Sequence, residues 1–462
     1  MKLSQLAAAA GLPCPGETEI TGLTCRSGET APGDLFAALE GSRQDGRRYI
    51  PEALARGAAA VLCAAPAGDW PVPVLIAPDP RAALARMAGE FYRRPGEDMT
   101  LIAVTGTKGK TTVAHMLRDI LLADGRQAGM IGTLGAFAGR ERLAEGTNTT
   151  PEPIALHRTL RAMADAGCTH VVLEASSQAM KLRRLEGLTF GLALFLNLSP
   201  DHVGPGEHAD LEEYRACKAA LFRQCRLALG NADDPAWPQM AAQAPAARAI
   251  EPLPIRRGPG LGVTVGPFSL PMPGFFNGEN ARAAIAAARA LGIGDAAIAA
   301  ALARCRVPGR CEVLPLPVPF SVVIDYAHNG AAMTALLRAL RPCGRLIAVF
   351  GAGGDRPPMR RHDLARAAAG AADFAVLTAD NPRSEDPAAI CAQIAAAMPD
   401  LPHVILPERA EAIRYALNLA GPGDVVALLG KGHETYVEVG GRREPFSERA
   451  VAEAWCAGRK NI

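Results

Sequence analysis

Residues 101–124 read LIAVTGTKGKTTVAHMLRDILLAD: an apolar run, a turn holding two glycines and two lysines, then apolar residues at helical spacing. A buried strand that enters a glycine turn and leaves as a helix is half of a strand–helix–strand unit, and such units build parallel sheets covered on both faces. The turn itself has a use. Its glycines let backbone amides face an anion, the helix N-terminus adds positive dipole, Lys110 adds a point charge, and Thr111 or Thr112 can reach Mg²⁺. Gly106, Thr107, Lys108, Gly109, Lys110, Thr111 and Thr112 therefore read as a P-loop that binds ATP, although Gly106 is only three residues from Gly109 and Thr105 stands where a first glycine is usual. Two lysines in one turn without an anion would only repel each other.

The same scheme repeats along the chain. The 462 residues, 49% of them hydrophobic, are enough for several cores. Three segments separate by pattern: a small N-terminal α/β domain over 1–98, a central P-loop ATPase-like doubly wound sheet over 99–308, and a C-terminal Rossmann-like α/β domain over 309–462. Strand-like runs GDLFAAL, AAVLCA and VPVLIAP mark the first; LIAVT, HVVLEAS and LALFLNLS the second; FSVVIDYAH, RLIAVFGAGGD, FAVLTADN and DVVALLGKGHE the third. The Pro- and Gly-rich stretch PLPIRRGPGLGVTVGPFSLPMPG reads as short strands and turns. Polar and glycine residues cluster just after the strands, and in a doubly wound sheet those ends share one crevice.

Composition narrows the partners. With 49 basic and 47 acidic residues, a net charge of +2, the chain offers no polyanion-coating surface, so no nucleic acid is expected. No window of about 18 apolar residues suggests a membrane span. Eleven scattered cysteines without a CxxC pair read as reduced thiols, Cys168 and Cys217 among them as small apolar side chains, and point to the cytoplasm.

Three further residues carry charge where it is unexpected. Glu174 ends the run VVLE, and His202 follows the next strand in NLSPDH; a carboxylate and an imidazole at neighbouring strand ends can hold Mg²⁺ against phosphates. In DLEEYRACKAALFRQC, Lys218 shares a helical stripe with Leu211, Tyr214, Leu221, Phe222 and Cys225, so it points at the core. Two accounts stand open: the alkyl stem is buried while the ammonium reaches water, or desolvation favours a neutral amine able to take up CO₂ as a carbamate.

Ten motifs in order, TGTKGKTT, TNTTPEP, EASSQAM, NLSPDH, EEYRACK, FFNGEN, DYAHN, GAGGDRPPMRR, TADNPRSEDP and GKGHE, make the chain resemble the Mur ligases, most closely the tripeptide-forming MurE type. The resemblance implies an ATP- and Mg²⁺-dependent amide ligase that phosphorylates the terminal carboxylate of UDP-N-acetylmuramoyl-L-Ala-D-Glu and couples it to meso-diaminopimelate. That is a cytoplasmic step of peptidoglycan precursor synthesis, hence of cell wall biogenesis, cell shape and cell division, carried out by a monomer. It assigns catalysis to Lys110, Lys218, Glu174 and His202, with Thr112, Glu174, His202 and Lys218 as a carbamate serving the metal. Asn280 and His328 join the ATP set. Ser27, Thr149, Thr150, Ser176 and Arg184 match the UDP-sugar-peptide contacts, and Arg356, Asp380, Asn381, Arg383, Gly430 and Glu434 those of diaminopimelate.

The sequence departs from the family pattern at Gly28, Gln178 and Leu182, and the segment around His208 is about two residues longer than usual. None of these touches the ATP chemistry. Diaminopimelate carries one carboxylate more than lysine, and the guanidinium of Arg383 suits a bidentate grip on it. Two rival readings remain at this point: a related ligase that adds lysine, or glutamate to folate, and a P-loop switch that hydrolyses ATP without forming a bond.

Overall fold

The computed structural model describes residues 1–41, 44–65, 68–146, 148–201, 203–204, 207–341 and 344–459. The chain forms two compact units, Met1–Pro252 with Arg282–Ile298, and Leu253–Ala281 with Ala299–Ile462.

The first unit opens with a four-stranded parallel sheet, β1 (Gly22–Thr24), β2 (Asp34–Ala37), β3 (Ala60–Cys63) and β4 (Val74–Ile76), in that order. Leu35, Ala60, Leu62 and Leu75 pack on one face against helices Leu3–Ala10 and Pro80–Phe91. The latter helix begins where Asp79 accepts a hydrogen bond from Ala82 N and Pro80 fixes the first turn, and it packs on helix Pro153–Asp165 of the next sheet.

That second sheet holds β5 (Thr100–Thr105), β6 (Ala128–Gly132), β7 (Gly135–Ala138), β8 (Glu141–Ala144), β9 (His170–Glu174), β10 (Phe190–Phe195), β11 (Cys225–Gly230) and β12 (Ala247–Ala249). The order is β12-β11-β10-β5-β9-β6-β7-β8, parallel except for the hairpin strands β7 and β8. Apolar residues fill both faces: Leu101 and Ala103 join Leu173, Phe190 and Phe195 in one core, while Ile102 and Val104 are equally buried. Register decides what meets the P-loop. Val104 pairs with Glu174 and Thr105 with Phe195, so the loops after β5, β9 and β10 leave the sheet at one level.

The second unit contains a small antiparallel sheet, β13 (Ile255–Arg257), β14 (Val263–Val265) and β15 (Phe268–Leu270), formed by the Pro- and Gly-rich stretch. Its main sheet holds β16 (Glu312–Val313), β17 (Ser321–Asp325), β18 (Leu346–Phe350), β19 (Phe374–Leu377), β20 (His403–Ile405) and β21 (Val425–Leu429), in the order β16-β17-β21-β18-β19-β20 and parallel apart from β16. Asp325 pairs with Leu429 and Phe350 with Leu377, which brings DYAHN, GAGGDR, TADNPR and GKGHE to one edge. A hairpin, β22 (Tyr436–Val439) and β23 (Arg442–Pro445), follows. Among the described residues no helix is long and apolar enough to cross a membrane.

Candidate active site

The P-loop is held open by its neighbours. Gly109 stands at φ +89, a conformation that costs a residue with a Cβ, and caps helix Lys110–Ala123. The loop after β10 grips the turn from the other side: Thr107 N donates to Asn197 O at 2.9 Å, Lys108 N to Asn197 Oδ1 at 2.9 Å, and Ser199 N to Thr107 Oγ1 at 3.0 Å. Lys108 reaches outward to Asp201 at 2.8 Å. Lys110 instead folds back, its ammonium donating to Gly106 O at 2.8 Å and Thr107 O at 3.2 Å.

Glu174 is fully buried. Its carboxylate accepts from Thr111 Oγ1 at 2.8 Å, from Thr133 N at 3.0 Å and from Thr133 Oγ1 at 3.2 Å. A Cβ on Gly132 would lie 2.0 Å from Glu174 Oε1, so the acid rests directly on the β6 backbone. The resemblance pairs Thr112 with this acid; in the structure Thr111 is the threonine whose hydroxyl meets it, while Thr112 is buried one residue on. His202 lies outside the described residues.

Lys218 is 1% exposed, which favours the buried amine over the solvent-reaching one. Its helix, Leu211–Ala220, starts where Asp210 accepts from Glu213 N, and it ends before Leu221 and Phe222, which continue as a 3₁₀ turn. Lys218 Nζ donates to Gly106 O at 3.1 Å, the same oxygen that Lys110 engages, and lies 4.5 Å from the Tyr214 ring centroid. Burial, followed by the Lys110 charge, drives the Lys218 amine well below the usual lysine range. Burial also pushes the Tyr214 phenol up to about 12, so the ring beneath stays neutral, bonded to Thr107 Oγ1 at 3.0 Å.

The substrate-peptide set gathers next to Glu174. Thr150 Oγ1 donates to the Glu174 carbonyl at 2.7 Å and accepts from Ser176 N at 3.0 Å; Thr149 and Thr133 hydroxyls are 3.1 Å apart. Ser176 caps helix Ser177–Lys181, and Arg184, buried, donates to Thr150 O at 2.8 Å and pairs with Glu152 at 2.5 Å. Ser27 sits in the turn Ser27–Glu29, between β1 and β2 of the first sheet. His208 meets Ser177 Oγ at 2.9 Å and lies 3.9 Å from Glu213.

In the second unit Asn280 donates to Asn277 Oδ1 at 3.1 Å on helix Phe275–Ala290. His328 bonds Tyr326 O at 2.8 Å, and their rings lie 4.6 Å apart. Arg383 adopts φ +53, donates to Gly354 O at 2.6 Å and pairs with Glu438 at 3.4 Å. Asn381 donates to Glu434 at 2.9 Å, and Gly430 packs beside Asp380. Arg356, exposed, and Arg383 both come within 4 Å of where a Cβ on Gly353 would lie. Sequence reading passed over Thr133, Tyr214 and Lys431. Thr133 and Tyr214 carry no charge anomaly, but the lysine of GKGHE, following a wholly apolar strand, was a signal of the same kind as Lys218.

Residues 19–92 match the model described as Mur ligase family, catalytic domain; residues 104–250 the Mur ligase middle domain; residues 309–432 the Mur ligase, glutamate ligase domain. A UDP-N-acetylmuramoyl-L-alanyl-D-glutamate--2,6-diaminopimelate ligase of Caldanaerobacter subterraneus subsp. tengcongensis is 37% identical over 457 residues, 94% of each chain. The protein of the same name from Geobacillus thermodenitrificans is 38% identical over 469 residues, covering 95% of each. A solved structure bearing that name superposes over 100% of both chains with a TM-score of 0.71 at 28% identity. With three domain models matched in order and near full-length identity at this level, the chain belongs to the Mur ligase family.

Proposed function

We propose that the protein is an ATP-dependent ligase that joins meso-diaminopimelate to UDP-N-acetylmuramoyl-L-Ala-D-Glu in the cytoplasm; the names of its relatives support the nucleotide dipeptide and 2,6-diaminopimelate as substrates. The observation that carries the ligase over a P-loop switch is the convergence of Lys110 and the buried Lys218 on Gly106 O beside the Thr111–Glu174 pair. Hydrolysis alone needs no second lysine there. Bringing a carboxylate to a triphosphate needs their charges neutralised, directly by Lys110 and, for Lys218 as a carbamate, through the metal it would hold.

Residues 1–98 are assigned to the UDP-sugar, 99–308 to ATP and 309–462 to the amino acid. Thr149, Thr150, Ser176 and Arg184 would hold the peptide, Arg184 with a guanidinium suited to its carboxylates, while Lys110 meets the transferred phosphoryl group. In the first step an oxygen of the terminal carboxylate bonds the γ-phosphorus as the bond to ADP breaks. In the second the amine nitrogen attacks the acyl carbon, phosphate departs and the amine loses a proton. The oxygen donors of Thr111 and Glu174 fit Mg²⁺, joined by His202 and by Lys218 once its neutral amine has added CO₂ and released a proton. Bound there, the metal would supply charge neutralisation between the two reacting anions. Asn280 and His328 are assigned to ATP.

Supplying ATP, the nucleotide dipeptide and each candidate amino acid in turn tests the reading. Diaminopimelate should outrun lysine, and Arg383→Ala should raise KM for diaminopimelate about 10- to 100-fold, the worth of one charged hydrogen-bonded contact, with KM for ATP unchanged. Preference for lysine, or lost ATP binding with amino-acid selectivity intact, overturns it.

A further inference from the structure

Lys431 is the most completely enclosed charge of the C-terminal sheet's functional edge, with no exposed surface at all. An ammonium buried this way persists only where fixed partners replace its water, because removing it from solvent costs several kcal/mol. Beside the Tyr436 ring, 5.6 Å away, its hydrogen-bonding and charged partners all belong to the proposed amino-acid pocket. Nζ donates to Asn381 Oδ1 at 3.1 Å and to Glu434 Oε2 at 3.1 Å, and stands 3.8 Å from Asp380 Oδ1.

These bonds fix two side chains at once. Asn381 Oδ1 also accepts from Glu438 N at 2.9 Å, while its Nδ2 donates to Glu434 Oε2 at 2.9 Å, so the amide has one orientation only. Both side-chain donors to Glu434 fall on Oε2, so Lys431 and Asn381 hold that carboxylate through one oxygen. Asp380 Oδ1 is buried and accepts no hydrogen bond among the described residues. The pocket floor thus holds two carboxylates and one fixed cation, a net charge of −1 that matches one substrate ammonium. Arg383, at φ +53 on the same loop, donates to Gly354 O and stands 3.4 Å from Glu438, a pairing that a substrate carboxylate would share or replace.

We propose that Lys431 is a positioning residue that sets amino-acid specificity: it fixes Asn381 and Glu434 and brings the floor to the single negative charge suited to an amine beside a carboxylate. This rests on the assignment of the pocket to diaminopimelate. Without Lys431 the floor carries two negative charges, which repel the carboxylate held at Arg383 and favour a substrate end bearing an amine alone.

Lys431→Met and Lys431→Arg, assayed beside the parent with diaminopimelate and with lysine, test it. In Lys431→Met, KM for diaminopimelate should rise at least about tenfold, KM for ATP should stay within about twofold, and the diaminopimelate-to-lysine ratio of kcat/KM should fall; these magnitudes follow from losing one charge-assisted contact. Lys431→Arg, which keeps the charge in another shape, should recover part of that ratio. If Lys431→Met does not fold, Lys431→Gln, which keeps a donor for Asn381 without the charge, takes the same assay. An unmoved KM and ratio, or equal rises in KM for ATP and amino acid, overturn the role. The parent enzyme is scored first: if it prefers lysine, the substrate assignment fails and KM for lysine becomes the readout of Lys431.

Discussion

Lys218 shows how far a single position can be read. Its place in an apolar helical stripe was visible in sequence, and the structure buries it against the P-loop carbonyl. What sequence could not supply was the second lysine on the same oxygen, because Lys110 and Lys218 are brought together by the β5–β10 register and not by spacing along the chain. The choice between Thr111 and Thr112 was hidden for a similar reason: adjacent threonines have equal chemistry, and only the first turn of the helix decides which one faces Glu174. If Lys218 acts as a carbamate, Lys218→Ala should lose at least about a hundredfold in kcat, and short carboxylates such as acetate should restore part of it. Steady-state rates with and without acetate check this; undiminished activity would remove the carbamate.

Among the elements, strands were the more legible. Runs such as LIAVT, VVLE and DVVALL are buried on both faces and so lack alternation, and each became a central strand. Edge and hairpin strands such as β8 and β23, exposed throughout, carry no such pattern and were not anticipated. Strand β6 illustrates what its residues must permit. Since a Cβ on Gly132 would overlap Glu174 Oε1, Gly132→Ala should force the acid away from Thr111 and Thr133. A displacement near 1 Å at a reacting centre costs about a hundredfold in rate. The expected result is a fall in kcat with a modest loss of melting temperature, measured side by side; full activity would mean that Glu174 needs no such support.

For the whole molecule, both units carry a histidine kept neutral by burial. His157, on the helix packed against Pro80–Phe91, has no hydrogen-bond partner on either ring nitrogen among the described residues, and burial lowers its pKa to about 4. His433 is likewise lowered to about 4, by burial and then by the Arg310 charge. The unfolded chain takes up these protons near pH 6.5 while the folded one does not, so stability present at neutral pH is lost as pH falls toward 4. For His157 the penalty is on the order of 3 kcal/mol. Melting temperatures followed from pH 7 to 4.5 should fall less steeply in His157→Asn than in the parent; parallel curves would show that His157 titrates normally.

The three-segment division read from the sequence has its counterpart in three matched domain models, whereas the packing of helix Pro80–Phe91 on Pro153–Asp165 places the first two sheets in one compact unit. The register of β17, β18, β19 and β21 has a consequence for descent. Four loops leave the sheet at one edge, yet none of them supplies a strand to it. With the amino acid held there as proposed, heritable change in those loops can redirect which one is taken while the sheet beneath is inherited unaltered. A lineage built this way can acquire a new substrate in a few substitutions without first losing its fold.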